Sequence, residues 1–198
     1  MNRWDTFVLI GSGPSLTVED VEFVRGKARV IAINNAVELA SDAFALYAAD
    51  RKWIDRFDGV PSFKGLKYSI ESHDTTTRHD WHVMRNTGFL GLETEANGLR
   101  TGFNSGFQSL NLAYHMGARR CLLLGYDMQV AADGRDHFFG SHPDGAVSPY
   151  QQMIEAFASI VQPLKDAGVS VVNCTPGSAL KCFPMARLQD VLALERAA

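Results

Sequence analysis

Thr6-Phe7-Val8-Leu9-Ile10-Gly11-Ser12-Gly13-Pro14-Ser15-Leu16 is the stretch from which the rest of the chain reads. A parallel strand buried on both faces appears as a continuous apolar run, and Thr6–Ile10 is one. Two glycines then end it. Pro14 suits the first turn of a helix, where its missing N–H would go unused. The stretch therefore predicts strand, tight turn and helix, with Val18, Val21 and Val24 on one helical side. The same alternation continues outward. Arg29–Ile33 predicts a second strand ending at Asn34-Asn35, and Ala36–Leu39 a short helix. Phe44–Ala48 predicts a third strand ending at Asp50, after which Trp53, Ile54 and Phe57 fall at helical spacing. Strands alternating with helices indicate a parallel sheet covered by helices.

The pattern weakens between Pro61 and Arg100. Leu66–Ile70 has strand character, but Ser72–Met84 is polar and lacks a period, so the segment at about 61–100 is expected to be a loop or lid insertion. Order returns at Thr101. Gly102-Phe103-Asn104-Ser105-Gly106 opens a helix to Met116, carried by Phe107, Leu110 and Tyr114 and closed by Gly117. Arg120–Leu124 predicts a strand ending at Gly125-Tyr126-Asp127. Met128–Pro149 is loop-like. Tyr150–Lys165 carries a broad apolar stripe, with Pro163 expected to kink its last turn. Val169–Val172 predicts the last strand, and Leu188, Val191 and Leu192 a terminal helix. The expected fold class is α/β: one Rossmann-like, three-layer domain over residues 1–198, with a mostly parallel sheet of five to seven strands.

Composition narrows the function. The 198 residues suit one domain of roughly 100–200 residues. With 46% hydrophobic and 21% charged residues, the chain is of ordinary globular type. Its apolar runs are far shorter than the roughly 20 residues of a membrane span, so none is expected. Nineteen Lys and Arg against 22 Asp and Glu give a charge of −3, without the basic excess of a general nucleic-acid binder. The N-terminus has no leader pattern, which makes a cytoplasmic location the expectation. Cys121, Cys174 and Cys182 are widely spaced and read as reduced, packed thiols.

In an open α/β sheet, ligands bind outside the carboxyl ends of the strands. Nearly every such end here carries small or polar residues: Gly11-Ser12-Gly13-Pro14-Ser15, Asn34-Asn35, Asp50, Gly125-Tyr126-Asp127, and the turn from Asn173 through Ser178. The first is a glycine loop of the kind that lets a backbone approach a phosphate at a helix N-terminus. It also reads as a tight turn without a ligand. No Gly-Lys-Ser/Thr follows, Leu16 occupies the third glycine position of a dinucleotide fingerprint, and Asn34 replaces the ribose-reading acid, so NAD is not expected. Asn104-Ser105-Gly106 is a second such loop, or a simple helix cap. Asp127, Asp133, Asp136, His137, His142 and Asp144 supply candidates for a general base or for Mg²⁺ ligands, and equally make a solvated loop. His137 and His142 are five apart, which is not the zinc-helix spacing. His73, His79 and His82 read as surface residues.

With those residues placed, the chain resembles a superfamily. IGSGPSL, AINNA, Asp50 at a strand end, GFNSGFQSLNLAYHMGARRCLLLGYDM, HFFGSHP and VVNCTPGSAL follow, over residues 6–184, an order similar to that of three groups. These are archaeal 6-hydroxymethylpterin diphosphokinase-like enzymes, motility-associated flagellin glycosyltransferases and bacterial lipooligosaccharide sialyltransferases. The middle block also resembles small bacteriophage proteins. The resemblance implies a Rossmann-like fold that binds a nucleotide-activated donor. By similarity, Gly11, Ser12, Gly13, Pro14, Ser15, Asn34, Asn35, Asp50, Asn104, Ser105, Gly106 and Ser178 would hold the nucleotide. His142 would be the base, with Asp127 near the donor. The chain lacks stretches like D-L-D-G and H-G-D-N of the pterin enzymes. The tyrosines that stabilise the departing phosphate in the sialyltransferases are also missing after Asp127, with Tyr126 or Tyr150 as substitutes.

Three expectations result. The first is a transferase using a nucleotide-activated sugar, such as a CMP-linked one, with His142 rather than His137 as base. The second is an ATP-dependent diphosphokinase with Mg²⁺ on Asp50, Asp127 and Asp136; no other cofactor is assigned. The third is a nucleotide binder without turnover. The expected partner is a nucleotide or nucleotide sugar, and oligomeric state is left open. A bulky residue at Gly13 is expected to block the nucleotide while sparing the fold.

Overall fold

The computed structural model describes residues 3–72, 80–141 and 148–193. Among them are eight strands: β1 (Thr6–Ile10), β2 (Arg29–Ile33), β3 (Ala45–Tyr47), β4 (Leu66–Ile70), β5 (His82–Asn86), β6 (Gly98–Leu99), β7 (Arg120–Leu124) and β8 (Ser170–Asn173). They form one sheet in the order β6-β5-β4-β3-β2-β1-β7-β8, and every pairing is parallel. The helices are α1 (Val18–Val24), α2 (Arg51–Arg56), α3 (Ser105–His115), α4 (Tyr150–Asp166) and α5 (Leu188–Ala193).

Strand alternation sends side chains to opposite faces, and both faces are buried. Phe7, Leu9, Ile31, Tyr47 and Leu123 pack against Phe107, Leu110, Phe157 and Ile160 of α3 and α4. Val8, Ile10, Ala32, Leu46, Leu122 and Leu124 pack against Val21 and Val24 of α1 and Val191 and Leu192 of α5. This is the three-layer, Rossmann-like arrangement expected.

Three expectations are corrected. The sheet has eight strands rather than five to seven. The segment at 61–100 is largely not a lid: it adds β4, β5 and β6 to the sheet beyond β3. In β5, which lies next to the two-residue edge strand β6, only Met84 is buried, so a strand polar on most positions left no period to read. Finally, α1 starts at Val18, capped by the Thr17 hydroxyl accepting from the Asp20 N–H, rather than at Pro14. Helix α4 runs through Pro163 to Asp166.

The turn between β5 and α3 is tied by a buried polar cluster. Arg100 pairs with Glu93 at 3.2 Å and donates to the Thr87 carbonyl. Asn111 accepts from Glu93 N–H and donates to its carbonyl. The Thr87 hydroxyl, then the Glu95 and Thr94 N–H groups and the Arg100 charge, hold the Glu93 carboxyl at about 2, against the opposing pull of burial. A carboxyl depressed from 4.5 stabilises the fold above that pH, and the contribution is lost as pH falls toward about 2. Glu93→Gln is therefore expected to lower stability at neutral pH and to flatten the acid side of the stability profile. Urea midpoints measured across that range check it; an unchanged acid slope would contradict the assignment.

Candidate functional site: a cleft at the carboxyl edge

Strand order reverses at β1, between β2 and β7, which places a crevice outside the carboxyl ends of β1 and β7. A cleft of about 660 Å³ opens there, within the range of small-molecule sites. A second hollow of about 490 Å³ lies by Trp4, Arg25, Ala28 and Phe44 at the opposite edge, away from the strand ends that carry polar residues.

The floor of the cleft is two loops packed backbone to backbone. Gly11 N–H donates to the Leu124 carbonyl at 2.8 Å and Gly13 N–H to the Gly125 carbonyl at 2.9 Å. A Cβ on Gly11 would stand 2.7 Å from the Gly125 oxygen, and one on Gly13 would stand 2.6 Å from it and overlap the Asp127 carboxylate. These glycines make room for the neighbouring strand end. Asp127 accepts from the Ser15 N–H at 3.2 Å and the Ser15 hydroxyl at 2.9 Å. The position where a phosphate would meet this loop is thus filled by the protein's own carboxylate. Burial raises the Asp127 carboxyl above its ordinary value, and the Ser15 bonds pull it partly back.

Other expected residues divide between cleft and scaffold. Gly11, Ser12, Gly13, Asn34, Asn35, Asp50, Asn104, Ser105, Gly106, Asp127 and Asp136 line the cleft. Asn35 accepts from Trp53 Nε1 and donates to Glu38, Asp50 caps α2 through the Lys52 N–H, and Asn104 caps α3 through the Phe107 N–H. Ser105 and Gly106 open α3, where the first N–H groups have no intrahelical partner. Pro14 and Ser15 do not line the cleft. Ser178, expected at the ligand, is fully buried: its hydroxyl donates to the Tyr126 carbonyl at 2.5 Å and accepts from the Leu180 N–H and Asn173 Nδ2. It buckles the turn after β8 to the end of β7, a scaffold role. His142, the expected base, lies outside the described residues, as do His73 and His79; the His82 ring lies tilted against Tyr68, planes at 31°, across β4 and β5.

Further residues complete the lining. Trp53, Arg56 and Phe57 of α2 and its end, Phe103, Met128, Phe139, Tyr150 and Met153 all face it, as does His137. The His137 Nδ1 stands 3.2 Å from the Ser12 hydroxyl and its ring stacks on Phe139. Phe138 N–H donates to the Ser12 carbonyl, bracing that loop on the glycine turn. The Tyr126 hydroxyl donates to the Gly106 carbonyl at 3.2 Å. Tyr150 is half-buried, and burial raises its phenol, aided by the Asp136 and Asp127 charges, so its hydroxyl sits in the carboxylates' field. A signal for Phe103 and Phe139 was present in the sequence: aromatics inside glycine-rich turns have no core to enter.

Two features single out this cleft. Of six non-glycine residues with left-handed backbone among the described residues, Asn34 (φ 51°), Phe103 (62°) and Met128 (52°) line it; such strain concentrates at functional sites. Of four buried side-chain polar atoms without a hydrogen-bond partner among the described residues, Asn34 Oδ1 and Asp136 Oδ1 belong to it. Among the described residues no group of three or more His, Cys, Asp or Glu is placed to hold a metal ion. Mg²⁺ takes one or two carboxylates besides water and phosphate. Asp136 fits that role, whereas Asp127 would have to release Ser15.

The fold and this cleft define a Rossmann-like α/β protein with a crevice at its switch point. No protein-family model matches the chain, and a search of curated proteins returns no match. No helix among the described residues is long and apolar enough to cross a membrane.

Proposed function

We propose that the protein is a nucleotide-dependent transferase using a nucleotide-activated sugar, with the nucleotide in this cleft. The observation that carries this reading is the charge of the lining. Among the described residues, the lining holds Asp50, Asp127 and Asp136 together with one arginine, Arg56. A triphosphate placed among them requires added cations, whereas the phosphodiester that links a sugar to a nucleoside monophosphate carries a single negative charge. Aromatic walls suit a base, and the orphaned Asn34 Oδ1 accepts from a base amine or a ribose hydroxyl. This favours the CMP-linked donor over Mg-ATP and the diphosphokinase reading.

In the transfer, the acceptor hydroxyl oxygen bonds to the anomeric carbon as the carbon–phosphate oxygen bond breaks. The nucleotide leaves with the electron pair, and His142 takes the hydroxyl proton. The Tyr150 hydroxyl and the first N–H groups of α3 are donors within the lining for the departing phosphate.

Thermal denaturation with CMP-, UDP- and GDP-linked sugars, and with ATP with and without Mg²⁺, tests the reading. A ligand at 100 times its dissociation constant adds about 2.7 kcal/mol. The expected result is a rise in Tm with a nucleotide sugar in the absence of metal, followed by nucleotide release. Stabilisation by Mg-ATP alone would favour the diphosphokinase.

A further inference from the structure

In the turn after β1, Ser12 is the one side chain that lines the cleft, since Gly11 and Gly13 carry none and Pro14 and Ser15 do not reach it. Its hydroxyl lies 3.2 Å from His137 Nδ1. The other ring nitrogen, Nε2, lies 3.9 Å from Asp136 Oδ2. Hydroxyl, imidazole and carboxylate thus stand in series. The backbone fixes the series at both ends. Phe138 N–H donates to the Ser12 carbonyl at 3.0 Å, and His137 and Gly140 exchange N–H···O bonds at 2.9 and 3.1 Å. Phe139 covers the imidazole, with ring centroids 4.8 Å apart and planes at 9°. The His137 and Asp136 side chains are 17% and 15% exposed. Asp136 Oδ1 is buried without a hydrogen-bond partner, so its carboxylate is under-compensated until the ring takes a proton.

A hydroxyl within reach of a base that a third group orients is the arrangement of an activated nucleophile. Asp136 favours the tautomer with its proton on Nε2, which leaves the Nδ1 lone pair facing Ser12. A 3.9 Å separation is longer than a formed hydrogen bond, and such contacts tighten when a substrate is bound. The lining selects the electrophile. Among the described residues it holds three aspartates and one arginine, which oppose a phosphoryl dianion, whereas Trp53, Phe57, Phe103 and Met153 suit an uncharged, apolar group. We propose that the cleft hydrolyses uncharged carboxylic esters, with Ser12 as nucleophile, His137 as its base and Asp136 as the positioning residue. This activity goes beyond nucleotide-dependent transfer and needs no nucleotide. Ser12 Oγ bonds to the acyl carbon as its proton passes to His137 Nδ1. The bond from that carbon to the alcohol oxygen breaks, and the alcohol leaves with the electron pair and the proton from His137. Water then attacks the acyl carbon and gives a proton to His137. The Ser12 ester bond breaks, the acid leaves and Oγ regains the proton. The first N–H groups of α3 are donors within the same lining for the oxyanion.

Labelling with phenylmethylsulfonyl fluoride, read by intact mass and peptide mapping, tests this on the wild-type protein. The Ser12 oxygen bonds to sulfur, fluoride leaves and the proton goes to His137. The expected result is one adduct, mapped to Ser12. His137→Gln is expected to slow both labelling and p-nitrophenyl butyrate hydrolysis by roughly 10²–10⁴-fold. Asp136→Asn is expected to slow both and to move the midpoint of the labelling–pH profile downward, because a carboxylate beside the ring favours the imidazolium. A merely structural loss would leave that midpoint in place and so overturns the role of Asp136. No adduct, or an adduct on another serine, overturns the proposal, as does labelling of Ser12 at an unchanged rate in His137→Gln. CMP is titrated separately. Labelling of Ser12 without CMP binding leaves the nucleophile standing and fails the donor reading; CMP binding without labelling does the reverse.

Discussion

Gly13→Val is expected to destabilise the fold by about 3 kcal/mol or more, through overpacking and the loss of buried hydrogen bonds. Gly13 does not have positive φ, so the reason is contact. Its Cβ position is 2.6 Å from the Gly125 carbonyl oxygen and overlaps the Asp127 carboxylate. A valine there must part β1 from β7 or expel Asp127, leaving the Ser15 N–H and hydroxyl unpaired. Against a typical total of about 5–15 kcal/mol, Tm should fall by roughly 6–12 °C. Gly26→Ala is the control: its φ is 71° and nothing lies within 4 Å of the added carbon, so only backbone strain is added. Equal midpoints for Gly13→Val and wild type would refute the packed-loop account and restore the ligand explanation of this glycine.

The second large effect concerns the histidines. For the proposed transfer, His142→Ala should lower turnover by roughly 10²–10⁴-fold with donor affinity retained. His137→Ala acts differently, because His137 touches the Ser12 hydroxyl and stacks on Phe139 at 4.8 Å. Its removal loosens the loop braced on the glycine turn, so donor affinity should drop with a smaller effect on turnover. Single-turnover rates and donor dissociation constants for both variants check this. If His137→Ala shows the large turnover loss and His142→Ala none, the base is His137.

Much of this was legible from residues because a doubly buried parallel strand is an apolar run. β1, β2, β4 and β7 fall where the sequence places them, with identical bounds, and their polar ends mark the cleft edge. β6 was hidden because it is two residues long at the sheet edge, and β5 because only Met84 of its five residues is buried, so neither alternation nor an apolar run marks it. The start of α1 was misplaced because Pro14 fits a helix and a plain turn equally. Within the site, strand-end position found Asn34, Asp50 and Asp127. It could not show that Asp127 turns onto Ser15, or that Ser178 turns inward under Tyr126. Those are long-range contacts, spanning 112 and 52 residues. Trp53, Phe103 and Tyr150 reach the cleft from α2, the α3 turn and α4, a convergence set by topology.

The central claim is that the cleft holds a nucleotide read in part by Asn34. Calorimetric titration of CMP, UMP, ATP and GTP into wild type and Asn34→Gly tests it most directly. Glycine accepts the left-handed backbone of this position, so the variant should keep its fold and lose only the carboxamide. The account predicts a saturable isotherm for CMP in wild type without metal, weakened roughly tenfold in Asn34→Gly at unchanged Tm, the size of one buried hydrogen bond. No isotherm with any of the four nucleotides, or equal affinity in the variant, would contradict it.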